Sequence, residues 1–243
     1  MGVVFRHSGD PVPAPGETVL KLGKKVPAPD TAAPALAGSG TPKRGRRERP
    51  VVIENLAAGQ QGFTSNVFLV TGDRNVLVDP GNQFDVVSAV RERVDDLDAL
   101  VLTHTHPDHV GNLEAVVDAF GVDVRAFDDS LPDVDHGIDD GDTVRMGDDD
   151  YLALHTPGHK DDHLCFYSVE AGALIAGDLV FANGSFGRTD LEEGDRERLV
   201  ESIEYVLGEI DEDLAELHTG HGPSVTTNPY QDVELASQAA RMY

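Results

Sequence analysis

The stretch LVLTHTHPDHVGN, residues 100–112, places His104, His106, Asp108 and His109 within six positions, directly after an apolar run. The apolar run predicts a buried strand, and a strand end does not bury such side chains unpaired because desolvated polar groups are costly. Imidazole and carboxylate groups are ligands that zinc, iron(II) and manganese accept. Four potential ligands are too many for one tetrahedral ion once others join, so the stretch predicts a site for two ions.

Three further apolar segments end in a possible ligand. These are His159 in LHTPGHKDDH, Asp178 in LIAGDLVF and His221 in LHTGHGP. Layered α/β proteins gather their chemistry at the carboxyl ends of strands. Any one of the three, taken alone, is more often an ordinary turn or loop residue. Together with the first stretch they give five histidines and two aspartates, which suits one shared carboxylate and three further ligands for each ion.

The remaining pattern predicts alternating strands and helices from residue 51 onward. Strands are predicted at 51–57, 66–71, 75–81, 98–104, 122–127, 143–146, 150–156, 163–168, 173–177 and near 214–222. Helices are predicted at 84–94, 110–120, 196–208 and over the last fifteen residues, with Asp195 as the N-cap of the third. Two strand-rich halves, each covered by helices, predict a layered α/β domain.

The motifs THTHPDH, TPGH, GD and GHG, in this order, resemble the ligand pattern of the metallo-β-lactamase superfamily over residues 51–243. The resemblance implies an αββα sandwich with a two-metal site between its sheets. It also implies a division of the ligands: His104, His106 and His159 on one ion, Asp108, His109 and His221 on the other, and Asp178 bridging them. Asp79 in VDPG matches the family's acid that hydrogen-bonds a ligand histidine and fixes its tautomer.

Such a site is suited to hydrolysis. Two divalent ions about 3.5–4 Å apart lower the pKa of a bridging water to about 7, and the resulting hydroxide attacks an acyl carbon or a phosphorus. The ions also stabilise the oxyanion, so no serine nucleophile is required. Asp108 is predicted as the catalytic group that orients this water or accepts its proton. Zinc is the first expectation for the metal, and manganese or iron(II) fits the nitrogen and oxygen ligands equally well.

The segment GRTD at 187–190, followed by GD and an amphipathic helix, resembles the short, single-domain type II glyoxalases. This resemblance implies hydrolysis of a small thioester. The chain ends at Tyr243, soon after the last ligand, without the C-terminal helical domain of the larger glyoxalases. A glutathione thioester is therefore not the expected substrate, and two alternatives stay open: another small thiol, or a substrate without a thiol.

Two other reactions remain open. TPGHxDDH resembles the lactamase-like endoribonucleases, which implies a phosphodiesterase and a substrate-contacting or orienting role for His163, against an equally weighted structural role. Persulfide dioxygenases carry a related GRTD loop and use a single iron. The ligands of that iron correspond here to His104, His159 and Asp178. Arg188 is predicted either to pair with Asp190 or to line the substrate entrance. A scaffold that keeps metals only for stability is the least favoured reading, because no ligand is substituted.

The acidic composition is the strongest bulk signal. The chain has a formal net charge of −25, from 44 acidic residues against 19 basic ones. Only 5 of the basic residues are lysine, a balance typical of adaptation to molar salt, where charge repulsion is screened. A protein that binds cations or basic partners is the alternative, which the even scatter of the acids disfavours.

Residues 1–50 differ from the rest of the chain. They hold 8 of the 14 prolines and carry 9 Lys/Arg against 4 Asp/Glu, whereas residues 51–243 carry 10 against 40. A Pro-rich basic extension is therefore predicted before a domain at 51–243. The cluster at 43–49 either lies along the acidic body or contacts nucleic acid. The first reading is favoured because no aromatic residue interleaves these charges to stack on bases.

Other features of the sequence set limits. No apolar run of about 18 residues predicts a membrane span, and the start lacks a secretory apolar stretch, so a cytoplasmic protein without membrane contact is expected. The single cysteine, Cys165, allows no internal disulfide and is read as core packing. A supporting role near the ligands is considered for His218. The remaining histidines are read as surface or strand residues: His7, His136 and His155. The oligomeric state is not predicted.

Overall fold

A six-stranded sheet forms the first half of the domain in the computed structural model, which describes residues 52–242. Its strands, in spatial as well as chain order, are β1 (Val52–Asn55), β2 (Phe68–Thr71), β3 (Val76–Val78), β4 (Ala99–Val101), β5 (Val124–Ala126) and β6 (His136–Gly137). The first three strands pair antiparallel, and β3 to β6 pair in parallel. The parallel strands therefore present their carboxyl ends at one edge.

A five-stranded sheet forms the second half. Its strands are β7 (Thr143–Met146), β8 (Asp149–His155), β9 (Leu164–Ser168), β10 (Ala173–Gly177) and β13 (Glu216–Thr219), in the spatial order β13-β10-β9-β8-β7. A short ribbon, β11 (Val180–Phe181) and β12 (Ser185–Phe186), follows β10. Since β9 is antiparallel to both β8 and β10, and β13 is parallel to β10, the strands β8, β10 and β13 all run in one direction.

Between residues 52 and 242, five α-helices and one short 3-10 helix (Ala182–Gly184) complete the fold. The α-helices are α1 (Val86–Arg91), α2 (Pro107–Val110), α3 (Leu113–Phe120), α4 (Arg196–Glu209) and α5 (Pro229–Met242). The carboxylate of Asp195 accepts a hydrogen bond from the backbone N–H of Arg198, so the predicted N-cap of α4 is confirmed.

Side chains that alternate along the strands build three apolar layers. The central layer joins the two sheets, and its members include Phe68, Val70, Val76, Tyr151, Phe166 and Ile175. On the opposite face of the first sheet, Leu69, Leu77 and Leu100 pack with residues of α1 and α3. On the opposite face of the second sheet, Leu154, Cys165 and Leu174 pack with residues of α4 and α5. The order helix, sheet, sheet, helix is the predicted αββα sandwich, which is confirmed.

Cys165 is buried in the layer under α4 and α5, as predicted. Burial raises the pKa of its thiol to about 12. The thiol contacts the hydroxyl of Thr156 and the carbonyl of Ala176, so it is a packed, unreactive side chain.

Several predicted boundaries were wrong, and two of these errors have local reasons that bear on the site. The strand predicted to reach residue 81 ends at Val78, because Asp79 adopts a left-handed conformation with φ 54°. The helix predicted over 110–120 starts at Leu113, and the separate turn α2 precedes it, with Pro107 at its first position. Hydrogen bonds from Gly81 N to His109 O and from Asn112 N to Gly81 O hold this break in place.

The extension predicted at 1–50, its basic cluster at 43–49 and His7 lie outside the described residues, so the domain boundary stays a prediction. Between residues 52 and 242, no helix combines the length and apolarity needed to cross a bilayer.

The acidity of the domain predicts a strong response to salt. Raising the salt from about 0.1 M to about 3 M shortens the screening length from about 10 Å to a few Å. We expect the Tm of the protein to rise by on the order of 10 °C across this range, since repulsion among like charges destabilises the compact state. Calorimetry in KCl measures it, with sucrose at matched osmolality as the control for solute exclusion. A Tm that is flat in KCl would contradict the inference from composition.

Candidate metal centre

Five strand ends meet at one rim of the sandwich. In the first sheet, Asp79 follows β3, and the stretch 104–109 begins just after β4 and runs into α2. In the second sheet, His159 lies in the turn after β8, Asp178 follows β10 directly, and His221 follows β13. Because β3 is parallel to β4, and β8, β10 and β13 share one direction, all of these carboxyl ends reach the same edge.

The seven predicted ligands are brought together there. Their nitrogen and carboxylate atoms form three overlapping groups, in each of which the atoms lie within 4.8 Å of one another. The groups are His104, His106 and His159; His104, His109 and Asp178; and Asp108, His109 and His221. Asp178 lies between the histidines of the first group and those of the third, which is the place implied for a bridging carboxylate.

The separations of the donor atoms are those of ligands around a common ion. His104 Nε2 lies 3.1 Å from His106 Nδ1, and His221 Nε2 lies 3.1 Å from Asp108 Oδ2. The two oxygens of Asp178 lie 3.4 Å from His159 Nε2 and 3.5 Å from His109 Nε2. Two ligands about 2.1 Å from one tetrahedral ion are about 3.4 Å apart. The measured distances therefore match the spacing that a divalent cation imposes.

Three buried polar atoms of this cluster lack a hydrogen-bond partner: His109 Nε2, His159 Nε2 and Asp178 Oδ1. An unsatisfied buried polar atom costs about 1–3 kcal/mol, so three of them at one place require an explanation. All three are oriented toward the space that the seven donors share. The residues therefore fit divalent cations, whose binding would satisfy each of these atoms.

Asp79 and Thr103 orient two of the histidines. Asp79 accepts hydrogen bonds from Thr103 N (2.7 Å), Thr103 Oγ1 (2.6 Å) and His109 Nδ1 (2.8 Å). Since the Thr103 hydroxyl donates its proton to Asp79, its oxygen accepts from His104 Nδ1 at 3.1 Å. Both imidazoles are thus held in the tautomer that leaves Nε2 free to face the cluster. The left-handed backbone of Asp79 is a strained conformation that fixes this carboxylate under the site.

His159 is oriented by a backbone group. Its Nδ1 donates to the carbonyl oxygen of Arg188 at 2.9 Å, which leaves Nε2 facing the cluster. The Arg188 carbonyl reaches this place because Gly187 passes directly over Asp178, where an added Cβ would lie 2.0 Å from the Asp178 carbonyl oxygen. The side chain of Arg188 points away and pairs with Asp190, at 2.7 Å and 2.8 Å. The predicted Arg188–Asp190 pair is therefore confirmed, and the backbone of the GRTD segment supports the site.

His163 does not reach the surface. It is fully buried, its Nε2 accepts a hydrogen bond from the backbone N–H of Asp178 at 2.9 Å, and its Nδ1 donates to Thr156 Oγ1 at 2.7 Å. Gly177 makes room for the ring, since a Cβ there would lie 2.6 Å from His163 Nε2. Of the three roles considered for His163, its burial contradicts substrate contact, whereas its hydrogen bond from the Asp178 N–H fits the orientation of a neighbour.

The electrostatics of the cluster favour cations. Burial, together with the neighbouring imidazoles, lowers the pKa of His104 well below its usual value, so this ligand is neutral as metal binding requires. Burial acts in the same direction on His109, yet the carboxylates of Asp79 and Asp178 outweigh it and raise the pKa of His109 to about 10. Hydrogen bonds to Asp108 and Asp178 raise the pKa of His221 to about 9. The carboxylates thus stabilise positive charge at this place.

The cluster opens to solvent on the side of the third group. The side chain of His221 is 41% exposed and that of Asp108 is 14% exposed, whereas His109 is fully buried. A cleft of about 400 Å³ lies beside His221, lined by residues of the segments 55–66 and 221–223. Among the lining residues that belong to the described part of the chain, His221 is the single titratable side chain. His221 therefore faces an opening with a polar lining.

The other histidines have structural partners. The ring of His218 is bonded to Glu216 (2.9 Å) and Ser224 (3.0 Å) and packs edge-on against Phe68, so its contacts show no supporting role at the ligands. His155 stacks on Phe127, and His136 is exposed, as predicted for strand and surface residues.

Replacing Asp79 by asparagine is expected to weaken cation binding by about 10- to 100-fold, because the amide cannot accept from both Thr103 and His109 with the carboxylate's charge. Competition with a chelator measures the affinity. Asp98→Asn is the matched control, since Asp98 also accepts a hydrogen bond from a backbone N–H, that of Asn75 at 2.7 Å. This bond lies at the turn between β2 and β3. Equal affinities in the two variants would show that Asp79 does not orient a ligand.

Comparison with known proteins gives matches over most of the domain. The sequence pattern of the metallo-beta-lactamase superfamily matches residues 61–132 and 123–228. The hydroxyacylglutathione hydrolase GloC of Haemophilus influenzae is 29% identical over 189 residues, 68% of this chain and 88% of that one. A hydroxyacylglutathione hydrolase of Hydrogenovibrio crunogenus is 36% identical over 110 residues, 44% of this chain and 40% of that one, so the match spans less than half of that relative. A protein crystallised in a di-iron-bound form superposes with a TM-score of 0.60 and 28% identity, over 78% of this chain and 97% of that one.

Proposed function

The chain belongs to the metallo-β-lactamase superfamily and is a metal-dependent hydrolase, and we propose that it hydrolyses small thioesters at a two-cation site. The observation that carries this proposal is the convergence of seven donors with three orphaned buried atoms among them. The relatives named hydroxyacylglutathione hydrolase support the thioester as the bond that is cleaved.

The proposed ligand set follows the three groups of donors. His104, His106 and His159 hold one divalent cation, and Asp108, His109 and His221 hold the second, with Asp178 shared between them. Zinc is proposed first because four-coordinate sites of imidazole and carboxylate suit it, and iron(II) or manganese has the same ligand preferences. The similar structure with two bound irons supports a pair of cations and leaves the metal open.

The chain contributes orientation and proton handling to the reaction. Bound cations supply Lewis acidity, which makes a water acidic enough to attack near neutral pH and polarises an acyl oxygen. Asp108 lies at the open side. Burial raises its pKa, but the hydrogen bond from His221 and the nearby imidazoles of His109 and His221 together lower it below its usual value, so the carboxylate is ionised. We propose that Asp108 orients the attacking water and accepts its proton. Asp79, Thr103 and His163 act from beneath by fixing the ligands.

The cleft beside His221 supports a small substrate with an uncharged thiol portion. Apart from His221, the described residues of its lining offer amides, hydroxyls and backbone groups, and none of these described residues is Lys or Arg. A glutathione thioester carries carboxylates, and among the described lining residues His221 alone offers them a positively charged partner. We therefore propose that the preferred thiol is smaller or less anionic than glutathione.

The two alternative reactions have weaker support. The motif that favoured a ribonuclease contains His163, which is turned inward to Asp178, and the basic segment 43–49 lies outside the described residues. A one-iron persulfide dioxygenase uses only His104, His159 and Asp178, which leaves the convergence of Asp108, His109 and His221 without a purpose.

A substrate panel tests the proposal. We expect hydrolysis of S-lactoyl-N-acetylcysteamine with kcat/KM at least equal to that for S-lactoylglutathione, and no cleavage of single-stranded RNA or oxygen uptake with a persulfide. Asp178→Ala serves as the inactive control for contaminating hydrolases. Turnover of RNA or of the persulfide, with both thioesters untouched, would replace the proposed reaction with the corresponding alternative.

A further inference from the structure

Asn66 occupies a junction between the two sheets at the open side of the cluster. It lies at the end of the β1–β2 connection, two residues before β2, and beside the loop that follows β13 and carries His221. Its carboxamide is uncharged and has no metal-ligating role in this arrangement. All hydrogen-bonding groups of Asn66 nevertheless have partners.

The contacts of Asn66 enclose the His221 loop. Its backbone N–H donates to the carbonyl of Gly220 at 2.7 Å, and its side-chain Nδ2 donates to the carbonyls of Thr219 (2.7 Å) and Gly222 (2.8 Å). These three carbonyls belong to the residues on both sides of His221. Asn66, which precedes β2 of the first sheet, therefore fixes the loop that presents the imidazole of His221.

Asn66 is itself held in one orientation. Its Oδ1 accepts a hydrogen bond from Asn55 Nδ2 at 2.8 Å, so the amide cannot flip without losing both donor contacts. Asn55 is fixed in turn, because its Oδ1 accepts from the backbone of Ala57 and Val67 at 3.0 Å and 3.2 Å. The neighbouring Ser65 N–H donates to the carbonyl of Asp108 at 3.0 Å. The same short segment thus ties down both exposed donors of the third group.

We propose that Asn66 is a positioning residue that assembles the Asp108, His109 and His221 half of the centre by fixing the His221 loop. The proposal rests on the proposed function, since it presumes that this half holds a cation. His221 needs such support because its ring is 41% exposed and lies in a glycine-flanked loop, whereas His104 and His159 of the other half are buried. Within residues 52–242, no hydrogen bond of Asn66 reaches His104, His106 or His159. Loss of Asn66 is therefore expected to affect only the half formed by Asp108, His109 and His221.

The test uses the full-length protein loaded with zinc. We expect two zinc ions per chain in the wild type and about one in Asn66→Ala and in Asn66→Asp. The second variant has the same shape as the wild type, but an oxygen replaces the two N–H groups that donate to the carbonyls. We also expect affinity for the remaining zinc to change by less than about threefold, against a loss of about 10- to 100-fold for the zinc that is lost. Asn75→Asp is the matched control, since Asn75 Nδ2 also donates to a backbone carbonyl, that of Asp96, on an exposed turn.

A double-mutant comparison separates positioning from general stability. If Asn66 acts through His221, then Asn66→Ala has no further effect on zinc content or affinity in the His221→Ala background. Additive losses in the double variant would overturn the proposal, as would two tightly bound zinc ions in both Asn66 variants. A wild type that itself binds fewer than two zinc ions would contradict the proposed function first, and the positioning role with it.

Discussion

Asp178→Ala is expected to remove most of the activity while leaving the protein folded. The carboxylate of Asp178 lies within 3.5 Å of donor atoms on His109, His159 and His221, so its loss removes the group shared by both proposed cations. We expect kcat/KM for thioester hydrolysis to fall by on the order of a thousandfold, and zinc per chain to fall below the wild-type value.

The measurement combines zinc analysis with circular dichroism and a thermal melt. The fold should persist, because the alanine removes a charge rather than an apolar contact of the core. Asp161→Ala is the matched control, since the side chain of Asp161 is 65% exposed and lies two residues beyond His159. His106→Ala is expected to lower the zinc content in the same way. Unchanged zinc stoichiometry in a folded Asp178→Ala protein would contradict the ligand assignment.

Gly220→Ala is expected to reduce activity as much as Asp178→Ala does, because the added methyl group occupies the space of the Asp178 carboxylate. A Cβ at this position would lie 2.1 Å from Asp178 Oδ1 and 3.0 Å from His109 Cε1. Gly220 has no left-handed backbone, so the substitution introduces no conformational strain of its own. We therefore expect a folded protein in which the Asp178 carboxylate is displaced, with zinc binding and hydrolysis lost together.

Gly208→Ala provides the contrast for this variant. Gly208 lies within α4, and a Cβ there meets no atom within 4 Å. Alanine at that site should leave zinc binding unchanged and stabilise the helix by about 0.5–1 kcal/mol. A Gly220→Ala protein with wild-type zinc content would mean that the space beside Asp178 is not shared by the cations.

The sandwich was predictable because its strands are marked by apolar runs and its helices by apolar faces. The runs at 98–104 and 173–177 lie on β4 and β10, and the apolar face of 196–208 packs in the core as α4. Two of the boundary errors fall where the site overrides local propensity. Asp79 ends β3 early in a left-handed conformation that an alternating pattern does not reveal.

The convergence of the candidate ligands was predictable in part, because His and Asp at strand ends on one edge must meet. The groups that orient them were not, since they are backbone atoms or residues distant in sequence. Thr103 stands next to His104 and was overlooked, although a threonine before a ligand is visible in the sequence. The Arg188 carbonyl that orients His159 carries no side-chain signal at all.

His163 shows a different limit of the sequence. A histidine four positions after His159 was compatible with substrate contact or with a structural role, and only its burial decides between them. The ring turns inward because Gly177 and Thr156 provide space and a hydrogen-bond partner on the neighbouring strands. The sequence order of these residues does not show that they touch.

Anomalous diffraction from crystals of the zinc-loaded protein tests the two-cation centre most directly. The account predicts two zinc peaks about 3.5–4 Å apart, one bound by His104, His106 and His159 and the other by Asp108, His109 and His221, with Asp178 contacting both. A single peak, or peaks that lie away from these seven side chains, would contradict it.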